Sequence, residues 1–171
     1  MKIREFALLA LFIALVAVST LIVRFPIPQT SNGYVNFGDS MVLLAALFFG
    51  PVGGFIAGGI GSALADILGG YPQWAPWTLV IKGIEAILAA GLVFVLRIEK
   101  TRVTFKLVAC FCIATSWMVL GYFIADSLMF ERTVAMAGAP FNILQAVVSV
   151  ALATLLMPVF SRIMSSARTD A

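Results

Sequence analysis

Residues 64–88, LADILGGYPQWAPWTLVIKGIEAIL, are almost entirely apolar, yet they include three charged side chains: Asp66, Lys82 and Glu85. A helix needs roughly 20 apolar residues to cross a bilayer, and this stretch joins two apolar runs across the turn-forming segment GGYPQW. Charged groups inside a membrane are costly, so they are usually paired or functional. The stretch therefore predicts an integral membrane protein whose buried charges have either a structural or a binding role.

The composition of the whole chain also indicates a membrane protein. Of 171 residues, 62% are hydrophobic and only 11% are charged, too few charged side chains to cover a soluble domain of this size. We expect a single transmembrane domain over residues 1–171 and a multi-pass location in a bacterial cell membrane. The N-terminal apolar run is interpreted as a retained first helix rather than a signal peptide.

Six apolar segments predict an all-α bundle of six transmembrane helices, at about residues 6–23, 40–49, 52–68, 76–96, 105–124 and 140–160. Gly50-Pro51 separates the second segment from the third, and the shortness of the second suggests a broken or tilted helix. The basic residues set the orientation, because cytoplasmic loops are enriched in lysine and arginine. With both termini in the cytoplasm, the outer side receives Arg24 and Arg132, Lys82 lies within a span, and the inner side receives Lys2, Arg4, Arg97, Lys100, Arg102, Lys106, Arg162 and Arg168.

Catalytic and metal-binding signatures are missing from the sequence. The chain has no histidine, which removes the commonest general base and the commonest metal ligand. It also has no Walker lysine motif and no Gly-rich dinucleotide turn. We therefore expect no enzyme activity, no metal and no cofactor, and we expect no nucleic-acid partner because the basic residues are explained by topology.

Polar side chains gather in the outer half of the predicted bundle, which is typical of a small-molecule pocket open to the outside. At 1.5 Å per residue, Lys82 and Glu85 lie about 9 Å and about 14 Å below the start of the fourth helix. Asn142 and Gln145 enter from the same side on the sixth helix. Aromatic rings suit stacking on a flat ligand, and the polar groups suit directed hydrogen bonds. The candidate substrate-binding residues are Tyr34, Asn36, Asp39, Trp74, Trp77, Lys82, Glu85 and Asn142.

Structural interpretations of these residues remain open beside the binding interpretation. Lys82 has two candidate partners, Glu85 three residues further along the helix and Asp66 on the third segment. Asp39 is placed to cap a helix start, and tryptophans commonly anchor a helix at the membrane interface.

Small residues recur at spacings of three and four in two segments, which allows helix backbones to approach closely. In residues 54–65 this pattern is Gly-rich and is assigned to internal packing. In the first helix, Ala10-x-x-x-Ala14 is compatible with either internal packing or a partner protein.

The segments GYVNFGDSMVLLAALFFGPVGG, GGIGSALADILGGY and WAPWTLVIKGIEAILAAG, together with the Ala-x-x-x-Ala first helix, resemble the S component of energy-coupling factor (ECF) transporters. The resemblance covers roughly residues 5–160 and is greatest for the branch assigned to hydroxymethylpyrimidine or pyridoxine, a form of vitamin B6. It implies a high-affinity vitamin-binding subunit that works with a membrane coupling protein (the T component) and two cytosolic ATPases. It also implies that Ala10 and Ala14 face the coupling protein and that residues 26–37 form a gate.

Two other functions are compatible with the sequence. One is an S component for riboflavin or another vitamin. The other is a stand-alone secondary carrier that couples transport to protons or sodium through Asp66 or Glu85.

Overall fold

The computed structural model describes residues 3–22, 24–26 and 34–169, apart from the side chains of residues 25, 26, 34 and 167–169. The chain forms α1 (Ile3–Ile22), β1 (Arg24–Pro26), β2 (Tyr34–Asn36), α2 (Gly38–Phe55), a π-helical turn (Ile56–Ile60), α3 (Gly61–Leu68), α4 (Ala75–Val95), α5 (Phe105–Met129) and α6 (Arg132–Thr169). The all-helical prediction is confirmed, with one addition: β1 and β2 pair antiparallel as a short ribbon, with Arg24 opposite Asn36. Residues 27–33 of the predicted gate lie outside the described residues.

Five helical stretches in the described part of the chain are long and apolar enough to cross a membrane. They are Ile3–Ile22, Gly38–Leu68, Ala75–Val95, Phe105–Met129 and Arg132–Ser166. The stretch Gly38–Leu68 contains both the second and the third predicted segments. The predicted number of six crossings therefore requires the chain to reverse direction within this stretch.

The break predicted at Gly50-Pro51 is confirmed, and the chain folds back on itself there. Gly50 has φ +73° and ψ −169°, outside the helical region. A β-carbon placed at Gly54 would lie 2.8 Å from Cα of Ala46, and one at Gly58 would lie 2.8 Å from Cγ1 of Val42. In a continuous helix, residues 8 and 16 positions apart would be separated by about 12 Å and about 24 Å. Residues 38–68 are therefore a helical hairpin, with a first arm at 38–49 and a second arm at 51–68.

The second arm packs backbone against backbone on α4 through its π-helical turn. A β-carbon at Gly58 would lie 3.3 Å from the carbonyl oxygen of Lys82, and one at Gly59 would lie 2.9 Å from that of Leu79. Glycine is required where helices approach this closely. The assignment of the Gly-rich stripe to internal packing is confirmed, and this packing fixes the part of α4 that carries the buried charges.

In the described part of the chain, two groups of buried side chains form the core. The larger joins α1, the hairpin, α4, α5 and α6, and within it the Phe12 ring makes edge contacts with Phe48, Phe49 and Phe160 at centroid distances of 6.5, 5.1 and 5.5 Å. The smaller lies where α4 begins and contains Trp74, Ile81, Met118, Ala125 and Ala146. The candidate site lies beside this second group.

The sixth helix is longer than the apolar pattern predicted. We expected it to begin at Pro140, but α6 begins at Arg132 and contains both Pro140 and Pro158. A proline inside a helix removes one hydrogen bond, and membrane helices tolerate this because neighbouring groups compensate for the loss. The proline was therefore an unreliable marker of the helix start.

Candidate functional site

A buried ion pair between the hairpin and α4 forms the centre of the site. The Lys82 ammonium group donates a hydrogen bond to Oδ1 of Asp39 and lies 3.5 Å from Oε2 of Glu85. The side chains of all three residues are essentially inaccessible to solvent. Asp39 reaches Lys82 because the first arm starts beside α4, with Asp39 in its first turn. Of the partners considered for Lys82, Glu85 is in ion-pair range, but the direct hydrogen bond is to Asp39.

Gln145 joins this ion pair to α6 and to the ribbon. Its amide nitrogen donates to Oδ2 of Asp39 at 2.7 Å, and its amide oxygen accepts the backbone N–H of Asn36 at 2.9 Å. The side-chain oxygen of Asn36 in turn accepts the backbone N–H of Gly38 at 2.8 Å, so Asn36 satisfies the N–H of the first residue of α2. We refer to Asn36, Asp39, Lys82 and Gln145 as the polar clamp, because together they tie the end of β2 and the start of α2 to α4 and α6.

An aromatic group adjoins the polar clamp at the beginning of α4. Lys82 Nζ lies 5.1 Å from the ring centroid of Tyr122, within the range of a cation–π contact. The Tyr122 hydroxyl donates to Thr78 Oγ1 at 3.2 Å. Trp74 packs against Tyr122 at a centroid distance of 6.0 Å and against Phe130 at 5.9 Å. A positive charge and several aromatic faces are thus brought together at one end of the bundle.

Several buried polar groups in this region have hydrogen-bonding capacity that the described residues do not use. Within the described part of the chain, neither carboxyl oxygen of Glu85 receives a hydrogen bond, and the indole N–H of Trp74 and the hydroxyl of Ser149 have no partner. Buried polar groups are normally satisfied, and an exception calls for a water, an ion or a ligand. These three side chains therefore indicate where a bound molecule would gain hydrogen bonds.

The structure brings most of the candidate binding residues to one region. Asn36, Asp39, Lys82 and Glu85 share the polar clamp or adjoin it. Trp74 is buried in the aromatic group, and the half-buried Trp77 packs against the same group. Asn142 is buried on α6, one turn before Gln145. The side chain of Tyr34 lies outside the described residues.

Three further side chains belong to the region but were not among the candidates: Thr78, Tyr122 and Gln145. Ser149, one turn beyond Gln145 on α6, was not a candidate either. A sequence signal existed for α6, because Asn142, Gln145 and Ser149 are spaced by three and four and so share one helix face. Tyr122 gave no such signal, since it lies among the apolar residues of α5.

Comparison with known proteins identifies the family. The family model described as "ECF-type riboflavin transporter, S component" matches residues 1–162. The chain belongs to this S-component family. Its members are transport components rather than enzymes, and S components of ECF transporters work with a T component and ATPases as a general property. The predicted family and the multi-pass location in the cell membrane are confirmed.

Two relatives and one solved structure are similar to this S component. The "Thiamine precursor transporter HmpT" of Lactococcus lactis subsp. cremoris (strain MG1363) is 32% identical over 161 residues, covering 94% of this chain and 90% of the relative. An "Uncharacterized protein in gap 3'region" of Pyrococcus woesei is 59% identical over 73 residues, which is 43% of this chain and about half (48%) of that relative. A structure titled "Structure and mechanism of the S component of a bacterial ECF transporter" matches with TM-score 0.75 and 23% identity, over 96% of this chain and 99% of that one, and supports the fold.

Proposed function

We propose that this chain is the high-affinity substrate-binding subunit of an ATP-driven ECF importer, and that its substrate is hydroxymethylpyrimidine or pyridoxine. The observation that carries the substrate class is the near full-length match to a thiamine precursor transporter. Both ligands are flat nitrogen heterocycles with hydroxyl groups, and the hydroxymethylpyrimidine also has an amino group. The buried aromatic rings and unused hydrogen-bonding groups near the start of α4 suit such a ligand.

The proposed binding site combines the predicted residues with those found beside them. Trp74 and Trp77, and Tyr34 from the outer loop, provide aromatic faces for stacking. Glu85 and Asn142 provide hydrogen bonds, whereas Asn36, Asp39 and Lys82 hold the walls of the site in place through the polar clamp.

We propose that the hairpin arms are two separate crossings, so that the single domain of residues 1–171 has six helices and cytoplasmic termini. The antiparallel arms and the excess of basic residues in the loops assigned to the inside support this topology. The polar clamp then lies in the outer half of the membrane, where a substrate enters from outside.

The partners follow from the family and from the surface of α1. We propose that a T component docks on the Ala10 and Ala14 face of α1, and that two cytosolic ATPases supply the energy. Both alanines are exposed on the surface of the chain rather than packed in its core. If so, Ala14→Leu should abolish co-purification with a coexpressed T component, while Ala139→Leu on α6 should leave it unchanged. Co-purification of the Ala14 variant at the wild-type level would contradict this interface.

Riboflavin is the second candidate substrate, because the matching family model carries riboflavin in its description. Mass spectrometry of gently purified protein, followed by titration calorimetry with hydroxymethylpyrimidine, pyridoxine and riboflavin, distinguishes the candidates. Submicromolar binding of either of the first two supports the proposal, and binding of riboflavin alone would replace it. Transport by the chain reconstituted without partners would instead identify a stand-alone carrier.

A further inference from the structure

Acidic side chains outnumber basic ones in the interior of this protein. Among the described residues, four buried side chains are acidic (Asp39, Asp66, Glu85 and Asp126), and only one, Lys82, is basic. An interior with this excess of acidic groups favours positive charge over negative charge, because electrostatic interactions are strong where water is excluded.

The single buried cation is already committed to one of these acids. Lys82 donates its hydrogen bond to Asp39, and Asp39 also accepts from Gln145, so both oxygens of Asp39 are occupied. Lys82 is also placed over the ring of Tyr122. An incoming ligand therefore meets a Lys82 whose charge is largely compensated, so Lys82 is a poor receptor for an anion.

Glu85 is the acid beside this ion pair whose oxygens are available to a ligand. It is completely buried, and its nearest cation, Lys82 Nζ, is 3.5 Å away. No described residue donates a hydrogen bond to either of its oxygens. With Asp39 and Glu85 ionised and Lys82 charged, the three side chains together carry one net negative charge. If Glu85 is protonated, the charges of Asp39 and Lys82 sum to zero, and the three side chains still offer no net positive charge to an anion.

A second unused group lies on α6. Glu85 is one turn beyond Lys82 on α4, and Ser149 is one turn beyond Gln145 on α6, while Lys82 and Gln145 meet at Asp39. The Ser149 hydroxyl is buried and has no partner in the described part of the chain. Glu85 and Ser149 are thus two buried polar side chains, each one turn beyond a clamp residue, that no described residue hydrogen-bonds.

We infer that Glu85 makes the site charge-selective: it admits neutral or cationic nitrogen heterocycles that point a hydrogen-bond donor at Glu85, and it rejects anionic forms of the same molecules. This inference rests on the proposed function for the use of the site, and it adds the charge class of the substrate and the residue that determines it. Carboxylate and phosphate derivatives of the ligand are therefore excluded by their charge.

The test uses ligands that differ in charge but hardly in size. A pyrimidine series and a pyridine series each carry an aminomethyl, a hydroxymethyl or a carboxylate group at the same ring position, and binding is measured by titration calorimetry on the full chain in detergent. We expect the aminomethyl and hydroxymethyl compounds of the binding series to bind at least tenfold more tightly than the carboxylate. In Glu85→Gln the ratio of aminomethyl to carboxylate affinity should fall at least tenfold. The matched control Glu99→Gln alters an exposed acid in the loop after α4 and should leave the ratio unchanged.

The outcomes separate this inference from the proposed function. If the neutral compounds bind but the carboxylate binds equally well to the wild type, the charge selectivity is wrong while the proposed function stands. A folded Glu85→Gln variant with an unchanged affinity ratio would also overturn the role of Glu85. If no neutral member of either series binds, both the proposed substrate and the inference fail. The wild-type series needs no variant, so poor folding of Glu85→Gln does not prevent the test.

Discussion

Replacing Gln145 with leucine removes the side chain that joins α6 to the rest of the polar clamp, at nearly constant volume. The variant loses a hydrogen bond to the carboxylate of Asp39 and one from the backbone N–H of Asn36, at 2.7 and 2.9 Å. A hydrogen bond to a charged group is worth about 1.5–3 kcal/mol and a neutral one about 0.5–1.5 kcal/mol, although bonds between membrane helices average nearer about 0.6 kcal/mol. We therefore expect a loss of about 2–4 kcal/mol in the free energy of unfolding, or about 5–15 °C in Tm for a chain of this size.

The assay is thermal unfolding in mild detergent, followed by intrinsic tryptophan fluorescence. Gln73→Leu makes the same chemical change at an exposed position in the loop before α4 and should stay within about 0.5 kcal/mol of the wild type. A double-mutant cycle with Asp39→Asn should give a coupling energy of about 1 kcal/mol or more, because the two side chains are in direct contact. A Gln145→Leu protein as stable as the Gln73→Leu control would refute the clamp as a stabilising structure.

Two further predictions concern α4 and its supports. Gly58→Ala should destabilise the protein by about 1–3 kcal/mol, because its β-carbon would lie 2.8 Å from Cγ1 of Val42. Adding Val42→Ala should remove this clash but create a small cavity. Gly91→Ala is the control, because a β-carbon there has nothing within 4 Å. If Gly58→Ala and Gly91→Ala have the same Tm, the close packing of the hairpin on α4 is wrong. Lys82→Met should lower the free energy of unfolding by about 3–5 kcal/mol, since it leaves buried acids without their cation, and it should weaken ligand binding at least tenfold. Lys106→Met, at an exposed position, should change neither quantity. Unaltered unfolding and calorimetry for Lys82→Met would argue against the ion pair.

The fold was largely predictable because membrane crossing imposes a length and a composition that are visible in one sequence. The first four apolar runs correspond to the helices within a few residues, and the change of direction at Gly50 follows from a glycine and a proline side by side. The extended α6 was missed because Pro140 was read as a helix start. The ribbon of β1 and β2 was missed because each strand is only three residues long.

The site was predictable in its residue types and its approximate depth, but not in its pairings. Lys82 and Glu85 are close on one helix, so their proximity follows from spacing alone. The stronger contact of Lys82 is with Asp39, 43 residues earlier, and Asp39 also binds Gln145, 106 residues later. Such contacts depend on how the hairpin, α4 and α6 pack together. The sequence therefore identified most of the buried charges but not Asp126, and only the packed helices determine which charges are paired.

The first hairpin arm is short, which explains why the clamp is needed at the start of α2. At 1.5 Å per residue, residues 38–49 span about 18 Å, well short of the roughly 30 Å of bilayer hydrocarbon. Asp39 meets Lys82, which lies about 10 Å along α4 from Ala75, so the start of α2 is buried inside the bundle with its free backbone N–H groups.

Those N–H groups must be satisfied within the protein, because they are buried among the helices and an unpaired buried N–H group is costly. Asn36 accepts one at Gly38, and Gln145 accepts that of Asn36 itself. The carboxylate of Asp39 in the first turn of α2 is also favoured there by the helix dipole. The clamp residues are thus occupied in holding a buried helix start inside the bundle. A ligand that competed for them would destabilise the fold, whereas one that bound Glu85 and Ser149 would satisfy groups that the fold leaves unused.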